Sequence, residues 1–269
     1  MAHKAAEAAP VAATHPGAAR AHERERTSVR EYIESLLVTV ILALFGTTFI
    51  VQAFKIPSES MQPTLLVGDH LLVNKFVFGG RDHWYDAVLP YRAVRRGDVI
   101  VFKFPFQDHP HYVKRVIGIA GDHIKMVDQH VYLNGKLLQE PYAVHDPAAP
   151  YDPFLYNFPP ANESELLSSM QPEWADQIFN YIQNGEIVVP PGKYFAMGDN
   201  RDHSWDSRYW GFVDREAIMG GPVVIYWSVK SSENDYTEHS LFGGIGSLFD
   251  TLIHIPTDTR WDRMFRTVH

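Results

Sequence analysis

The sequence contains no cysteine among its 269 residues. This absence excludes a thiol nucleophile, a disulfide framework and thiolate metal sites, although it does not decide the redox compartment. Any nucleophile is therefore a hydroxyl. The chain also lacks an excess of basic residues, since its formal net charge is -8. A surface that binds nucleic-acid phosphates needs an excess of positive charge, so nucleic acid is not an expected partner.

Charged residues are missing from one long stretch, residues 35–54. About 20 apolar residues are enough to cross a bilayer as a helix, and this stretch lacks the short core and small-residue end of a cleavable export signal. It predicts a retained transmembrane anchor at residues 33–54, preceded by a disordered cytoplasmic tail at residues 1–32. The alternative is a buried helix of a soluble core, which is disfavoured because core helices are rarely apolar on every face.

Basic residues are distributed unevenly around this stretch. Four arginines precede it, whereas Lys55 is the only lysine or arginine that follows it before Lys75. Positive charge favours the cytoplasmic side of a membrane. We therefore expect a single-pass protein of the cytoplasmic membrane, with residues 55–269 on the periplasmic or extracytoplasmic face.

Short runs rich in Val, Ile, Phe and Tyr recur between turn residues after Gly68. They predict a mainly β domain, with strands in residues 70–73, 98–102, 112–119, 123–133 and 222–229. The dipeptide Asn134-Gly135 is a strong signal for a hairpin turn.

Three stretches depart from this β pattern. Residues 79–97 and 139–186 are predicted insertions, and the second contains a short amphipathic helix that begins near Trp174 and stops at Asn184-Gly185. Residues 241–255 are apolar but interrupted by glycines, which favours a membrane-surface or core-packing segment.

Ser60 and Lys114 are the candidate catalytic pair. A serine hydroxyl needs a neighbouring base, and an unprotonated lysine can serve. A lysine in water stays protonated up to about pH 10.4, but burial lowers its pKa. Lys114 lies at the centre of an apolar run, on the same face as Tyr112 and Val116. Most lysines are solvated, so Lys114 alone would be ordinary; the polar, glycine-bounded run at residues 198–211 is a third element of the kind found in functional loops.

Three sequence blocks resemble those of type I signal peptidases, which remove signal peptides from exported proteins. They are residues 57–65, residues 96–102 with 112–118 and 121–122, and residues 197–211 continuing into 220–228. Residues 260–268 resemble the closing segment of that family. Self-cleaving bacterial repressors share a similar Ser-Lys core but carry a DNA-binding module where this chain has its apolar stretch. The resemblance implies a barrel-like antiparallel β catalytic domain with an inserted β-rich subdomain.

The resemblance also implies a role for each matching residue. Ser60 is then the nucleophile and Lys114 the general base; Ser204 orients the lysine, and Ser58 joins the backbone N–H of Ser60 in an oxyanion hole. Five residues would line shallow pockets for an Ala-x-Ala sequence: Ile56, Pro57, Met61, Leu65 and Tyr112. Five more would give structural support: Asp199, Asn200, Arg201, Asp206 and Arg208. No cofactor or metal is implied.

The chain departs from the family pattern at two positions. Glu59 stands where glycine is frequent, and we expect its carboxylate to point to solvent. His203 replaces a common asparagine, which leaves a histidine-based site as a minor alternative. His109 and His111 could suggest a metal pair, but turn residues are the simpler interpretation because further ligands are missing at a recognisable spacing.

The expected function is the removal of signal peptides from exported preproteins, with the lipid bilayer and the secretion translocon as further partners. Two alternatives stay open. One is a specialised Ser-Lys maturation protease for a single secreted or conjugation substrate. The other is a catalytically silent, membrane-anchored domain that binds peptides.

Overall fold

A computed structural model describes residues 16–78, 91–104, 111–160, 170–230 and 257–268. The chain divides into two compact units, residues 1–48 and 49–269. The first unit contains one long helix, Pro16–Phe45. Proline is well suited to the first helical position, because it has no N–H to leave unpaired there.

This helix differs from the prediction at both ends. It begins at Pro16, within the predicted disordered tail, and it ends at Phe45, before the end of the predicted anchor. A π-helical turn, Gly46–Ile50, follows, and then strand β1, Val51–Lys55. The helix prediction is wrong for β1 because these residues pair with a second strand, and tertiary pairing overrides an apolar pattern. Among the described residues, no helix combines the length and the apolar character that a membrane crossing requires.

The second unit is mainly β, which confirms the predicted class. Its strands after β1 are β2 Asp69–Asn74, β3 Val99–Lys103, β4 His111–Gly118, β5 His123–Val127, β6 His130–Leu133, β7 Lys136–Leu137, β8 Ile182–Gln183, β9 Glu186–Val188, β10 Lys193–Met197, β11 Val213–Asp214, β12 Ile218–Ser228 and β13 Arg266–Thr267. Short helices occur at Pro153–Tyr156, Pro172–Ala175 and Ser207–Trp210.

The larger sheet has eight strands in the order β1-β2-β12-β3-β4-β10-β11, with β13 paired to β12. It curls as a half-barrel: β1 and β4 are far apart in this order, yet the rings of Phe54 and His111 are 5.2 Å apart. Register irregularities in β12 permit the bend, because residues before Gly221 pair with β3 and those from Gly221 onward pair with β2. This curl brings β1 and β4 to opposite sides of one cleft.

The smaller sheet has five strands in the order β7-β6-β5-β9-β8. It is inserted between β4 and β10, which are neighbours in the larger sheet. The predicted insertion at 139–186 therefore starts too late, since the run at 123–133 forms the first hairpin of the inserted sheet. The predicted turn at Asn134-Gly135 is confirmed: both residues have positive φ, 53° and 75°, and they join β6 to β7.

The predicted helix near Trp174 is two separate turns. The helix Pro172–Ala175 is followed by a 3-10 turn, Ile178–Tyr181. Trp174 and Ile178 are both buried in the core of the inserted sheet, which explains their helix-like spacing. Asn184-Gly185 does not end a helix; it forms the hairpin between β8 and β9. His109, residues 79–90 of the first predicted insertion and the apolar segment 241–255 lie outside the described residues.

A compact apolar cluster lies beneath the segment that carries Ser60. Met61 and Leu65 are fully buried in it, together with residues of β2, β3 and β12. Burying side chains of this size contributes roughly 1.5–3 kcal/mol each. The cluster therefore fixes the short connection between β1 and β2 on the sheet.

Candidate active site

Ser60 lies at the centre of a 3-10 turn, Glu59–Met61. The turn is held at both ends by backbone hydrogen bonds, since Ile56 donates to Asp69 and Leu65 donates to Met61. Only 8% of Ser60 is exposed. The nucleophile candidate is thus set on a rigid, nearly buried turn.

Lys114 comes from the middle of β4, directly opposite Ile100 of β3. Its side chain is 2% exposed, and its Nζ lies 2.5 Å from the Oγ of Ser60. The structure therefore brings together the two residues that the sequence singles out, although 54 positions separate them.

Burial lowers the pKa of Lys114 from 10.5 to about 8. The negative charge of Asp206 opposes this shift, and the positive charge of Arg208 adds to it. At pH 7 a pKa near 8 leaves about one-tenth of the amines neutral, roughly 300 times the fraction expected at the ordinary pKa. The amine can therefore accept a proton from the hydroxyl it contacts.

Ser204 donates its hydroxyl proton to Asp206 Oδ2 at 2.7 Å. Although burial opposes ionisation of Asp206, the charge of Arg208 holds the pKa of that carboxyl below its usual range. Arg208 binds the carboxylate through two nitrogens, each at 2.8 Å. Because its proton is used there, the Ser204 hydroxyl can serve an amine only as a hydrogen-bond acceptor.

The other three predicted support residues hold the backbone around the candidate pair. Asp199 forms a two-point ion pair with Arg115, with both contacts at 2.8 Å. The backbone N–H of Asn200 donates to the carbonyl of Ser60 at 3.1 Å, and Arg201 Nε donates to the carbonyl of Gly198 at 3.1 Å. Arg115 was not predicted as a site residue. The signal for it was its place beside Lys114 in an apolar strand, where a buried arginine needs a carboxylate.

Gly198 is a second residue that sequence analysis gave no role. A Cβ added here would collide with the side chain of Ser204 and with the carbonyl oxygen of Ser60. Glycine therefore lets the loop approach the nucleophile turn closely.

We expect Gly198→Ala to lower kcat at least about 100-fold, because displacing a catalytic group by about 1 Å costs that much. Measured kcat for peptide cleavage, with circular dichroism to verify folding, tests this. Gly46→Ala is the control, because a Cβ there meets nothing within 4 Å and the φ of Gly46 is not in the left-handed region. Near-normal kcat in folded Gly198→Ala would show that the close approach is not needed.

A cleft of about 220 Å³ opens beside the pair. Four of the five predicted substrate-binding residues line it: Ile56, Pro57, Met61 and Tyr112. Leu65 does not, because it is fully buried in the core beneath the turn. Phe54, Lys55, His111 and Val113 complete the walls with Ser58, Ser60 and Lys114. The cleft thus has a largely apolar lining with the reactive pair in its wall.

Two predicted polar positions are placed at the edge of this site. The hydroxyl of Ser58 lies 3.4 Å from that of Ser60. Glu59 is exposed, in agreement with the expectation for its carboxylate.

His203 makes its contact away from the Ser60-Lys114 pair, because its Nε2 contacts Asp146 Oδ2 at 3.1 Å. In the described ranges, no group of three or more His, Asp or Glu side chains is arranged to hold a metal ion.

The chain matches known peptidases over most of its length. The family described as signal peptidase, peptidase S26, matches residues 29–227. A signal peptidase I of Pseudomonas aeruginosa is 37% identical over 210 residues, covering 74% of this chain and 72% of the relative. A signal peptidase I of Aquifex aeolicus is 36% identical over 231 residues, covering 75% of this chain and 86% of the relative. A crystal structure of a signal peptidase I from Enterococcus faecalis is 29% identical and covers 48% of this chain and 97% of that one, with a TM-score of 0.31.

The family match and the two relatives from Pseudomonas aeruginosa and Aquifex aeolicus define the class of the protein: it is a hydrolase, a serine endopeptidase. The chain belongs to the signal peptidase family, peptidase S26.

Proposed function

We propose that this protein removes amino-terminal signal peptides from exported preproteins, with Ser60 as nucleophile and Lys114 as general base. One observation carries the assignment of the pair: a buried amine whose pKa is lowered to about 8 lies 2.5 Å from a hydroxyl in the wall of an apolar cleft. The related signal peptidases support the substrate class.

In the acylation half, neutral Lys114 accepts the hydroxyl proton as Ser60 Oγ attacks the scissile carbonyl carbon. The tetrahedral oxyanion collapses, the C–N bond breaks, and protonated Lys114 gives its proton to the leaving amine. A signal-peptide ester of Ser60 stays behind. In the second half, Lys114 accepts a proton from water as the water attacks the ester, then returns it to Ser60 Oγ.

The backbone N–H of Ser60 and the hydroxyl of Ser58 are the proposed donors to the oxyanion. Ser58 lies beside the nucleophile, and a rotation of its side chain would direct the hydroxyl at the oxyanion. Removing one such donor costs about 100-fold to 1000-fold in rate. Asp206 and Ser204 then act through Lys114. The buried negative charge of Asp206 stabilises the amine as it becomes protonated, and Ser204 donates a hydrogen bond to that carboxylate.

The cleft fits small side chains of an extended peptide. Ile56, Met61 and Tyr112 line it together with Ser60, and strand β1, which also lines the cleft, is an edge strand of the larger sheet. An extended substrate can add to such an edge through backbone hydrogen bonds while alternate side chains enter pockets. This geometry suits the Ala-x-Ala sequence expected at the ends of signal peptides.

We propose further that the amino-terminal segment attaches the enzyme to the cytoplasmic membrane, beside the secretion translocon, with the second unit on the extracytoplasmic side. The helix Pro16–Phe45 leaves large apolar side chains uncovered, among them Leu36, Ile41 and Leu42 at 55–65% exposure. A run of exposed apolar side chains this long marks a surface for lipid or another apolar partner. The bilayer is the partner that also concentrates exported preproteins.

A substrate panel tests the proposed function. We expect purified protein to cleave several unrelated preproteins after Ala-x-Ala. We expect kcat/KM to fall at least about 100-fold when the alanine before the cut is replaced by phenylalanine, because the resemblance to signal peptidases implies shallow pockets for small side chains at Ile56, Pro57, Met61 and Tyr112. Cleavage of one preprotein alone would support a specialised maturation protease. Binding of preproteins without cleavage would instead support a silent peptide-binding domain.

A further inference from the structure

A segment of the inserted region lies along the loop that supports the candidate pair. We call residues 140–146 the strap and residues 198–204 the catalytic loop. Their backbones pair in parallel at Val144 and Asn200: Val144 N–H donates to the carbonyl of Asp199 at 2.8 Å, and Arg201 N–H donates to the carbonyl of Val144 at 3.0 Å. The inserted region therefore contacts the site through its own backbone.

Glu140 holds one end of the catalytic loop. Its carboxylate pairs with both terminal nitrogens of Arg201, one of them at 2.9 Å. Arg201 is 1% exposed, and its Nε donates to the carbonyl of Gly198, the glycine that touches Ser60 and Ser204. A buried guanidinium keeps its position only while a carboxylate balances its charge. Glu140 thus fixes the arginine that fixes Gly198.

Tyr142 covers the other ion pair of the loop. Its ring lies 4.0 Å from the guanidinium carbon of Arg115, the residue next to Lys114 and the partner of Asp199. Such stacking of a guanidinium on an aromatic ring is favourable, and more so when it is shielded from water. The Tyr142 hydroxyl donates to Glu140 Oε1 at 3.2 Å, so the two strap residues are themselves connected.

The far end of the strap also contacts the catalytic loop. Asp146 N–H donates to Asp202 at 2.7 Å, and His203 meets Asp146 from the other side. His203, which replaces the asparagine common in the family, therefore helps to hold the strap against the catalytic loop. None of the strap residues lines the substrate cleft, whose walls come from residues 54–61 and 111–114.

We propose that the strap is a positioning element for catalysis, in which Glu140 and Tyr142 hold Gly198 and Arg115 and thereby keep Ser60 and Lys114 in register. The proposal rests on Ser60 and Lys114 being the catalytic pair. It gives the inserted region a role in the chemical step and not in substrate recognition.

The test compares kcat with KM for Tyr142→Leu, Tyr142→Phe and Glu140→Gln in the full chain, with an Ala-x-Ala preprotein as substrate. We expect kcat to fall about 10-fold to 100-fold in Tyr142→Leu and Glu140→Gln, since small displacements of reacting groups cost rate in this range, while KM stays within about twofold. Tyr142→Phe keeps the stack on Arg115 and should keep most of the activity.

Matched controls are Tyr151→Leu and Glu186→Gln. Tyr151 is exposed and its ring packs against Tyr156, and Glu186 pairs with Lys125 inside the inserted sheet at 3.0 Å. Both controls should retain normal kcat. Because Glu140→Gln leaves a buried arginine without its carboxylate, the folded fraction is measured by near-ultraviolet circular dichroism; Tyr142→Leu leaves every ion pair in place and carries the test if Glu140→Gln unfolds.

Two results would overturn the proposal. One is a normal kcat in folded Tyr142→Leu. The other is a rise in KM with unchanged kcat, which would make the strap a substrate contact. Ser60→Ala assayed alongside separates the two levels of the account: if it stays active, the catalytic pair is wrong, and if it is inactive while the strap variants are normal, only the role of the strap is wrong.

Discussion

Ser60→Ala is expected to reduce preprotein cleavage by at least about 10⁴-fold, because removing the nucleophile of a serine peptidase removes the covalent route entirely. The fold should survive, since the substitution removes one oxygen from a turn that is fixed by buried Met61 and Leu65. The measurement is kcat/KM on an Ala-x-Ala preprotein, together with the affinity of the variant for that preprotein.

Binding should persist in Ser60→Ala, because the apolar walls of the cleft are unchanged. Ser35→Ala makes the same chemical change in the helix of the first unit and should keep full activity. Substantial cleavage by Ser60→Ala would place the nucleophile elsewhere. An inactive wild-type protein that still bound preprotein would favour the silent binding domain.

Lys114→Met and Lys114→Arg are both expected to abolish cleavage, again by about 10⁴-fold or more. Methionine fills the same space without a base, and arginine stays protonated at every accessible pH. Lys103→Met, at the exposed end of the neighbouring strand β3, is the matched control and should retain activity. An active Lys114→Met would mean that another group takes the proton from Ser60.

Lys114→Met should also be more stable than the parent protein. The folded-state pKa of Lys114 is lowered from 10.5 to about 8, so between these pH values the unfolded chain binds more protons and the lysine destabilises the fold. The lysine lowers the free energy of unfolding by about 3 kcal/mol below pH 8, and this loss disappears above about pH 10.5. Denaturant unfolding of both proteins at pH 7 and pH 10.5 measures it; equal stability at pH 7 would indicate a solvated lysine.

The sequence predicts the candidate site better than the fold around it. Ser60 and Lys114 are singled out by the blocks that resemble signal peptidases, because a lysine in an apolar run would alone be ordinary. Gly198 and Arg115 are harder to predict, because their roles depend on contacts that form only after folding. Gly198 lies against the carbonyl of Ser60, and Arg115 pairs with Asp199. Leu65 is the opposite case: the resemblance implied that it lines the substrate pockets, but its side chain is buried in the core beneath the Ser60 turn.

The two sheets show the same limit on a larger scale. Alternating apolar residues indicate strands in both, and the turn at Asn134-Gly135 follows from the need for positive φ. Sheet membership depends on long-range pairing, so nothing local distinguishes β5 and β6 from the strands of the larger sheet. The same holds for β1, whose apolar residues continue a helical pattern but pair with β2.

The most direct test of the central claim is the pH dependence of kcat/KM for the wild-type enzyme. A neutral Lys114 acting as base predicts that kcat/KM rises about tenfold per pH unit below pH 8 and levels off above it, because only the deprotonated amine can accept the proton. A profile that stayed flat from pH 5 to pH 8 would contradict the account, because at pH 5 an amine with a pKa near 8 is almost wholly protonated.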